Sequence, residues 1–161
     1  MEFTDSLIGH YKKMLAYDQW AIGLLLGDME KLPAPDPAAL VKVSHVLCSQ
    51  EVWVIRLLGG DSSGFTSIWP VYSLAQCKEK LAELGKNWAR ILEGLKPEDI
   101  GKIISYKNTK GEPCQLAVGG ILAQTFDHST YHRGQIATAI KKAGGEPHST
   151  GFFGYLMQVR G

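Results

Sequence analysis

Four long stretches of this chain repeat their apolar residues every three or four positions, and that helical period commits most of the sequence to helices packed against one another. The clearest is the third, where Leu74, Leu81, Trp88 and Leu95 recur every seven residues, interleaved with Cys77, Leu84 and Ile91. Ser73 and Gln76 have capping-box spacing at its start, and Pro97 closes it. The first stretch runs from about Phe3 to Met29 with Leu7, Tyr11, Met14, Leu15, Ile22 and Leu25 on one line. A helix of that length would extend about 40 Å. The second restarts after Pro33-Ala34-Pro35, with Asp36 as cap and Pro37 in the first turn, and carries Val41, His45, Cys48, Val52 and Ile55 to Gly59-Gly60. The fourth aligns Val118, Ile121, Leu122, Thr125, His128, His132, Ile136 and Ala139, and ends at Gly144-Gly145 before Pro147. Between the third and fourth, Ile103–Lys107 reads as a strand, Asn108–Gly111 as a turn and Pro113–Leu116 as a return strand. The expectation is an all-α fold: one four-helix-bundle domain over residues 1–161 with a small β-hairpin before the fourth helix.

Composition narrows the function classes. With 161 residues, 45% hydrophobic and 20% charged, the chain can build a substantial core. Lys plus Arg total 17 against 16 acids, a net charge of +1, and no basic tract is interleaved with aromatics. Such a balance gives no field for gripping a polyphosphate backbone, so no nucleic-acid partner is expected. The start, Met1-Glu2-Phe3-Thr4-Asp5, carries acids where a signal peptide carries Lys or Arg, and no run reads as a bilayer span, so no membrane role is expected. Cys48, Cys77 and Cys114 are odd in number, far apart and in no Cys-x-x-Cys pair. A cytoplasmic protein with reduced thiols follows as the expectation.

The chemistry resides in the histidines. His128 and His132 stand one helical turn apart and leave the same face, with Cβ atoms about 5–6 Å apart. That spacing lets both reach one ion at ~2.0–2.1 Å, but with five histidines it arises by chance in roughly one sequence in eight. His45 adds the decisive context. All three lie on core-facing lines, where imidazoles need partners, and one ion satisfies them together. His10 and His148 have no comparable setting and read as surface residues. Asp18 interrupts the first stripe between Met14 and Ile22 and also needs a partner. It is read first as acceptor for an imidazole N–H, fixing the tautomer of a metal ligand. The other readings are a carboxylate held by Arg56 or Tyr17, or a fourth ligand. Gly134 suggests close approach of another helix.

These residues carry a resemblance. Tyr17-Asp18-Gln19-Trp20-Ala21 resembles the Tyr-Asn-x-Trp-Ala stretch of the DinB family, and Ser44-His45-Val46-Leu47 resembles the segment that supplies that family's first metal histidine. Asp127-His128-Ser129-Thr130-Tyr131-His132-Arg133-Gly134-Gln135 is similar to its Asn-His-x-Thr-x-His-Arg-Gly-Gln signature. That family is related to YfiT-type hydrolases and to bacterial low-molecular-weight thiol transferases. The resemblance implies a four-helix bundle with a long crossover, a three-histidine site with open coordination positions, and frequent homodimers. Two departures stand out: Asp18 replaces the common asparagine, and Gly151 stands where the family ending usually has aspartate.

Three neutral imidazoles suit zinc, nickel, iron or copper better than calcium or magnesium; zinc is expected first and nickel second. Three protein ligands also leave an exchangeable position, a catalytic rather than a structural arrangement. Two enzyme readings follow, with a small-molecule substrate in each. One is transfer of a small thiol to an electrophile, which the resemblance favours, and the other is metal-assisted hydrolysis. The third reading is a stress-response metal- or ligand-binding module without turnover. The apolar tail Phe152–Met157, with Trp20 and Trp53 off the main stripes, points to a homodimer or to a lid over the chain's own cleft.

Overall fold

The computed structural model describes residues 6–159, so the first helix's expected beginning at Phe3 lies outside the described residues. The bundle consists of α1 (Leu7–Glu30), α2 (Pro37–Leu57), α3 (Leu74–Gly94) and α4 (Val118–Lys142). Helices α1 and α2 each pack against both α3 and α4, which places α1 opposite α2 and α3 opposite α4. The local signals fix the boundaries. Asp36 accepts the Ala39 N–H at 2.8 Å with Pro37 opening α2. Ser73 and Gln76 close a reciprocal capping box on α3, at 3.2 and 2.8 Å. At the far ends of α2 and α4 the chain turns through Gly59 and Gly144, with φ of 76° and 88°, a conformation that costs glycine little.

Residues 95–117 form the long crossover. A 3₁₀ turn, Pro97–Gly101, leads into β1 (Ile103–Lys107) and β2 (Pro113–Ala117), an antiparallel pair with Ile103 opposite Ala117 and Lys107 opposite Pro113. The hairpin folds onto α2. Tyr106 meets Trp53 edge-on at 5.2 Å, and the Arg56 guanidinium lies 4.7 Å from the Trp53 ring and 4.2 Å from that of Tyr106. Trp53 is therefore covered by the chain's own hairpin.

The tail forms a short helix, α5 (Phe152–Gln158), which lies on α1. Tyr17 packs on Phe152 and Tyr155 at 5.0 and 5.6 Å, and Trp20 packs on Tyr155 at 5.4 Å. The Tyr17 hydroxyl donates to the Thr150 carbonyl at 2.7 Å, and Trp20 Nε1 donates to Gln158 Oε1 at 3.0 Å. With Gly151 at its N-cap, α5 has no side-chain cap, the role an aspartate there would fill. Aromatic packing from α1 holds the tail instead.

One sequence expectation needs qualification. By length and mean hydropathy α2 would pass as a membrane span. Its apolar window is 61% buried within the bundle, however, and it carries His45 and Gln50 into the core. It is a core helix of the bundle. Gly134, expected at a helix contact, has nothing within 4 Å of where a Cβ would stand, so the site merely tolerates glycine.

A buried polar chain ties the four long helices together. Trp88 on α3, fully buried, donates Nε1–H to Gln50 Oε1 on α2 at 3.0 Å. Gln50 Nε2 donates to Asp18 on α1 at 2.7 Å, and the other Asp18 oxygen accepts from Ser129 and Arg133 on α4. Arg133 also lies 4.7 Å over the Tyr17 ring. Burial pushes the Asp18 carboxyl up, while Arg133, Ser129 and Gln50 all pull the other way.

His148 is more than a surface residue. Its backbone N–H and its Nδ1 each meet a different oxygen of Asp28 at 2.7 Å, and Asp28 is buried on α1. Burial pushes the Asp28 carboxyl up, but the His148 backbone, Lys31 and the His148 ring outweigh it, and the carboxyl sits below its ordinary range. His148→Ala is expected to cost about 1–2 kcal/mol, the loss of one hydrogen bond to a buried carboxylate. Urea unfolding reads that cost, and metal content should not change.

Candidate metal centre

His45 occupies the middle of α2, and His128 and His132 stand one turn apart on α4, the helix that packs against α2. The fold brings all three together. One ring nitrogen from each lies within 4.8 Å of the others, and His45 Nε2 approaches His128 Nε2 to 3.0 Å. The ring centroids are 4.5–4.9 Å apart. His45 and His132 are buried and His128 is half-buried.

The hydrogen bonds behind the rings set the tautomers. His45 Nδ1 lies 2.7 Å from the Ile68 carbonyl, which can only accept, so Nδ1 carries the proton and Nε2 presents a lone pair to the cluster. His132 Nδ1 lies 2.9 Å from Gln135 Oε1, with the same consequence. Burial pushes the His45 imidazole below its ordinary pKa, against the Ile68 bond and with help from His132. Burial, then His132 and His45, push His128 down to about 4. Neutral imidazoles are the ligand form. At ~2.0–2.1 Å per bond, two imidazole nitrogens on one ion stand ~3.0–3.4 Å apart, a separation the His45–His128 pair already has. The donor set fits a divalent transition metal.

Around the cluster, Trp69 stacks face to face on His45, with centroids 3.7 Å apart and planes 4° apart, and meets His132 edge-on at 6.0 Å. Tyr131 packs edge-on against His132 at 5.0 Å. Trp69 and Tyr131 are both exposed, so the cluster lies just beneath an aromatic rim at the surface.

Asp18 is not the acceptor for an imidazole. Its oxygens are taken by Gln50, Ser129 and Arg133, while the imidazole Nδ1 positions of His45 and His132 face Ile68 and Gln135. Nor does it join the ligand cluster among the described residues, and its cation is Arg133 rather than Arg56. The reason is geometric. Ser129 and Arg133 each follow a histidine by one residue, about 100° around α4, so they face the core where Asp18 lies. His10 is exposed beside Tyr11 and outside the cluster. Ile68 and Trp69 come from a loop with no periodic signal. Gln135 was legible only as a motif position, without a role. All three cysteines are free, and burial raises the pKa of the Cys48 and Cys77 thiols, which suits packing rather than attack.

A profile described as DinB family matches residues 9–158, nearly the whole chain, including all three histidines. The chain belongs to the DinB family. No curated protein matches it. Membership and the cluster are compatible with metal binding by His45, His128 and His132.

Proposed function

We propose that this DinB-family chain holds one divalent transition ion, zinc before nickel, on His45, His128 and His132, and transfers a small thiol to an electrophilic substrate. The supporting observation is the convergence of three imidazole nitrogens with no fourth acidic or thiol ligand among the described residues. Such a set leaves positions that an outside molecule can fill. When bound, an ion of this kind lowers the pKa of a thiol or of water towards neutrality. The chain's own residues do the rest. Ile68 and Gln135 hold two ring orientations, and Trp69 covers one side of His45 against water.

The test is a cobalt-substituted sample titrated with 2-mercaptoethanol. A new near-ultraviolet sulfur-to-cobalt band, absent from His128→Ala, is expected. Without a thiol-dependent band the thiol reading falls, and water activation or simple binding takes its place.

We also infer a two-fold dimer. Phe153 and Met157 stand one turn apart on α5 and stay 76% and 54% exposed after Phe152 and Tyr155 have packed on α1. A second copy would cover them. Light scattering should give twice the chain mass at tens of micromolar protein, and Phe153→Ser with Met157→Ser should return a monomer. If the doubly substituted protein stays dimeric, the interface lies elsewhere.

A further inference from the structure

Beyond the histidines, α2 carries a second polar arrangement. Ser49, Val52 and Arg56 follow His45 by four, seven and eleven residues, so at about 100° per residue they share its face. With Trp53, Ile68, Tyr106 and the hairpin-turn residues Asn108 and Thr109 they line a cavity of about 230 Å³ between α2, the Ile68 loop and the hairpin. Ile68 is the residue whose carbonyl holds His45, so the cavity adjoins the cluster.

Two groups in this cavity have bonding capacity that the chain does not use. Ser49 Oγ is buried without a hydrogen bond, a state that normally costs stability and asks for an explanation. Arg56 has no ion-pair partner among the described residues. Its Nε donates to Ser62 Oγ and its Nη2 to the Lys107 carbonyl, both at 3.0 Å, which leaves Nη1 open. Stacking against Trp53 and Tyr106 fixes the guanidinium plane. Asp61, in the following loop, is engaged by the backbone and hydroxyl of Ser63 at 2.8 and 2.7 Å. A half-buried, oriented guanidinium without an ion-pair partner, lining the same cavity as an unsatisfied hydroxyl, is arranged for an anion from outside the chain.

We propose that this cavity is the subsite for a carboxylate of the substrate, with Arg56 as its cation and Ser49 as a hydroxyl donor nearer the histidines. The assignment rests on the reading of the cluster as the place where the substrate's thiol reacts. The lining carries a single cation, Arg56, which matches a single carboxylate, whereas a phosphate dianion would call for further cations. The volume is below the ~300–1,000 Å³ of pockets that enclose drug-sized ligands, so it accommodates one end of a molecule. Eleven helical residues rise about 16 Å, and side chains lean towards the helix N-terminus. Arg56 thus reaches back to on the order of 10 Å from the cluster, and the substrate class is a thiol acid with roughly that separation between sulfur and carboxylate.

Calorimetric titration of the zinc-loaded full-length protein with 6-mercaptohexanoate, 6-mercaptohexanamide and hexanoate tests this. The thiol acid should bind about 10-fold or more tightly than its amide. Arg56→Gln should abolish that difference and leave the amide unchanged. Ser49→Ala should weaken the acid about 3- to 10-fold while the melting temperature holds or rises, because an unsatisfied hydroxyl has been removed. Equal binding of acid and amide would overturn the subsite, as would an Arg56→Gln protein that weakens both alike. Hexanoate that binds in an Arg56-dependent way, with no gain from the thiol, would keep the subsite and remove the thiol reading.

Discussion

His128→Ala protein is expected to emerge from dialysis against a mild chelator with less than about a tenth of an equivalent of metal, where the unsubstituted chain retains about one. The magnitude follows from the donor set. Structural zinc sites in small peptides bind with roughly 10–16 kcal/mol in total, so one imidazole of three carries several kcal/mol, or ~10²–10⁴ in affinity. His45→Ala and His132→Ala should lose metal to the same degree, and His10→Ala and His148→Ala should keep it. The three ligand variants should differ in stability. His45→Ala also gives up the stack with Trp69 and leaves the Ile68 carbonyl without its donor, so its metal-free form should melt lower than metal-free His128→Ala. Elemental analysis and thermal melts read the two effects separately. Full occupancy in His128→Ala would remove the three-histidine site.

The fold was legible because it rests on local rules. The seven-residue repeat from Leu74 to Leu95 and the Ser73–Gln76 capping box depend on nothing beyond their own segment, and α3 starts where they place it. The same holds for the Asp36-Pro37 start of α2 and for the 103–107 strand with its Asn108–Gly111 turn. His45, His128 and His132 could be grouped because each interrupts an apolar stripe, and the packing of α2 on α4 brings those interruptions together. Partners supplied by loops were not legible. The Ile68 carbonyl and the Trp69 ring reach His45 only because the segment after α2 doubles back, and no periodicity records that path. His148 escaped for the same reason: its partner Asp28 lies 120 positions earlier in the chain. Asp18 was recognisable as a residue in need of a partner, but which cation would meet it depended on the rotation of α4.

That rotation underlies the second large effect. Asp18→Ala should destabilise the protein by about 3–5 kcal/mol, because it leaves the buried Arg133 guanidinium without its carboxylate. In a chain of this length the loss corresponds to roughly 10–15 °C in melting temperature. It also strips Ser129 and Gln50 of their shared acceptor. Arg133→Met alone should cost a similar amount by leaving the Asp18 charge buried. Asp18→Leu combined with Arg133→Met removes both charges, and the pair of substitutions should cost far less than the sum of the two single losses, because neither charge is then left buried alone. Arg133 follows His132 directly, so its ion pair with Asp18 is placed to hold the turn of α4 that presents His128 and His132 to His45. The double variant separates stability from that positioning role. If it melts near the unsubstituted protein yet binds zinc about 10- to 100-fold more weakly, the pair orients the cluster. If its zinc affinity is unchanged, the packing of α2 on α4 suffices to bring the histidines together, and Asp18 serves stability alone.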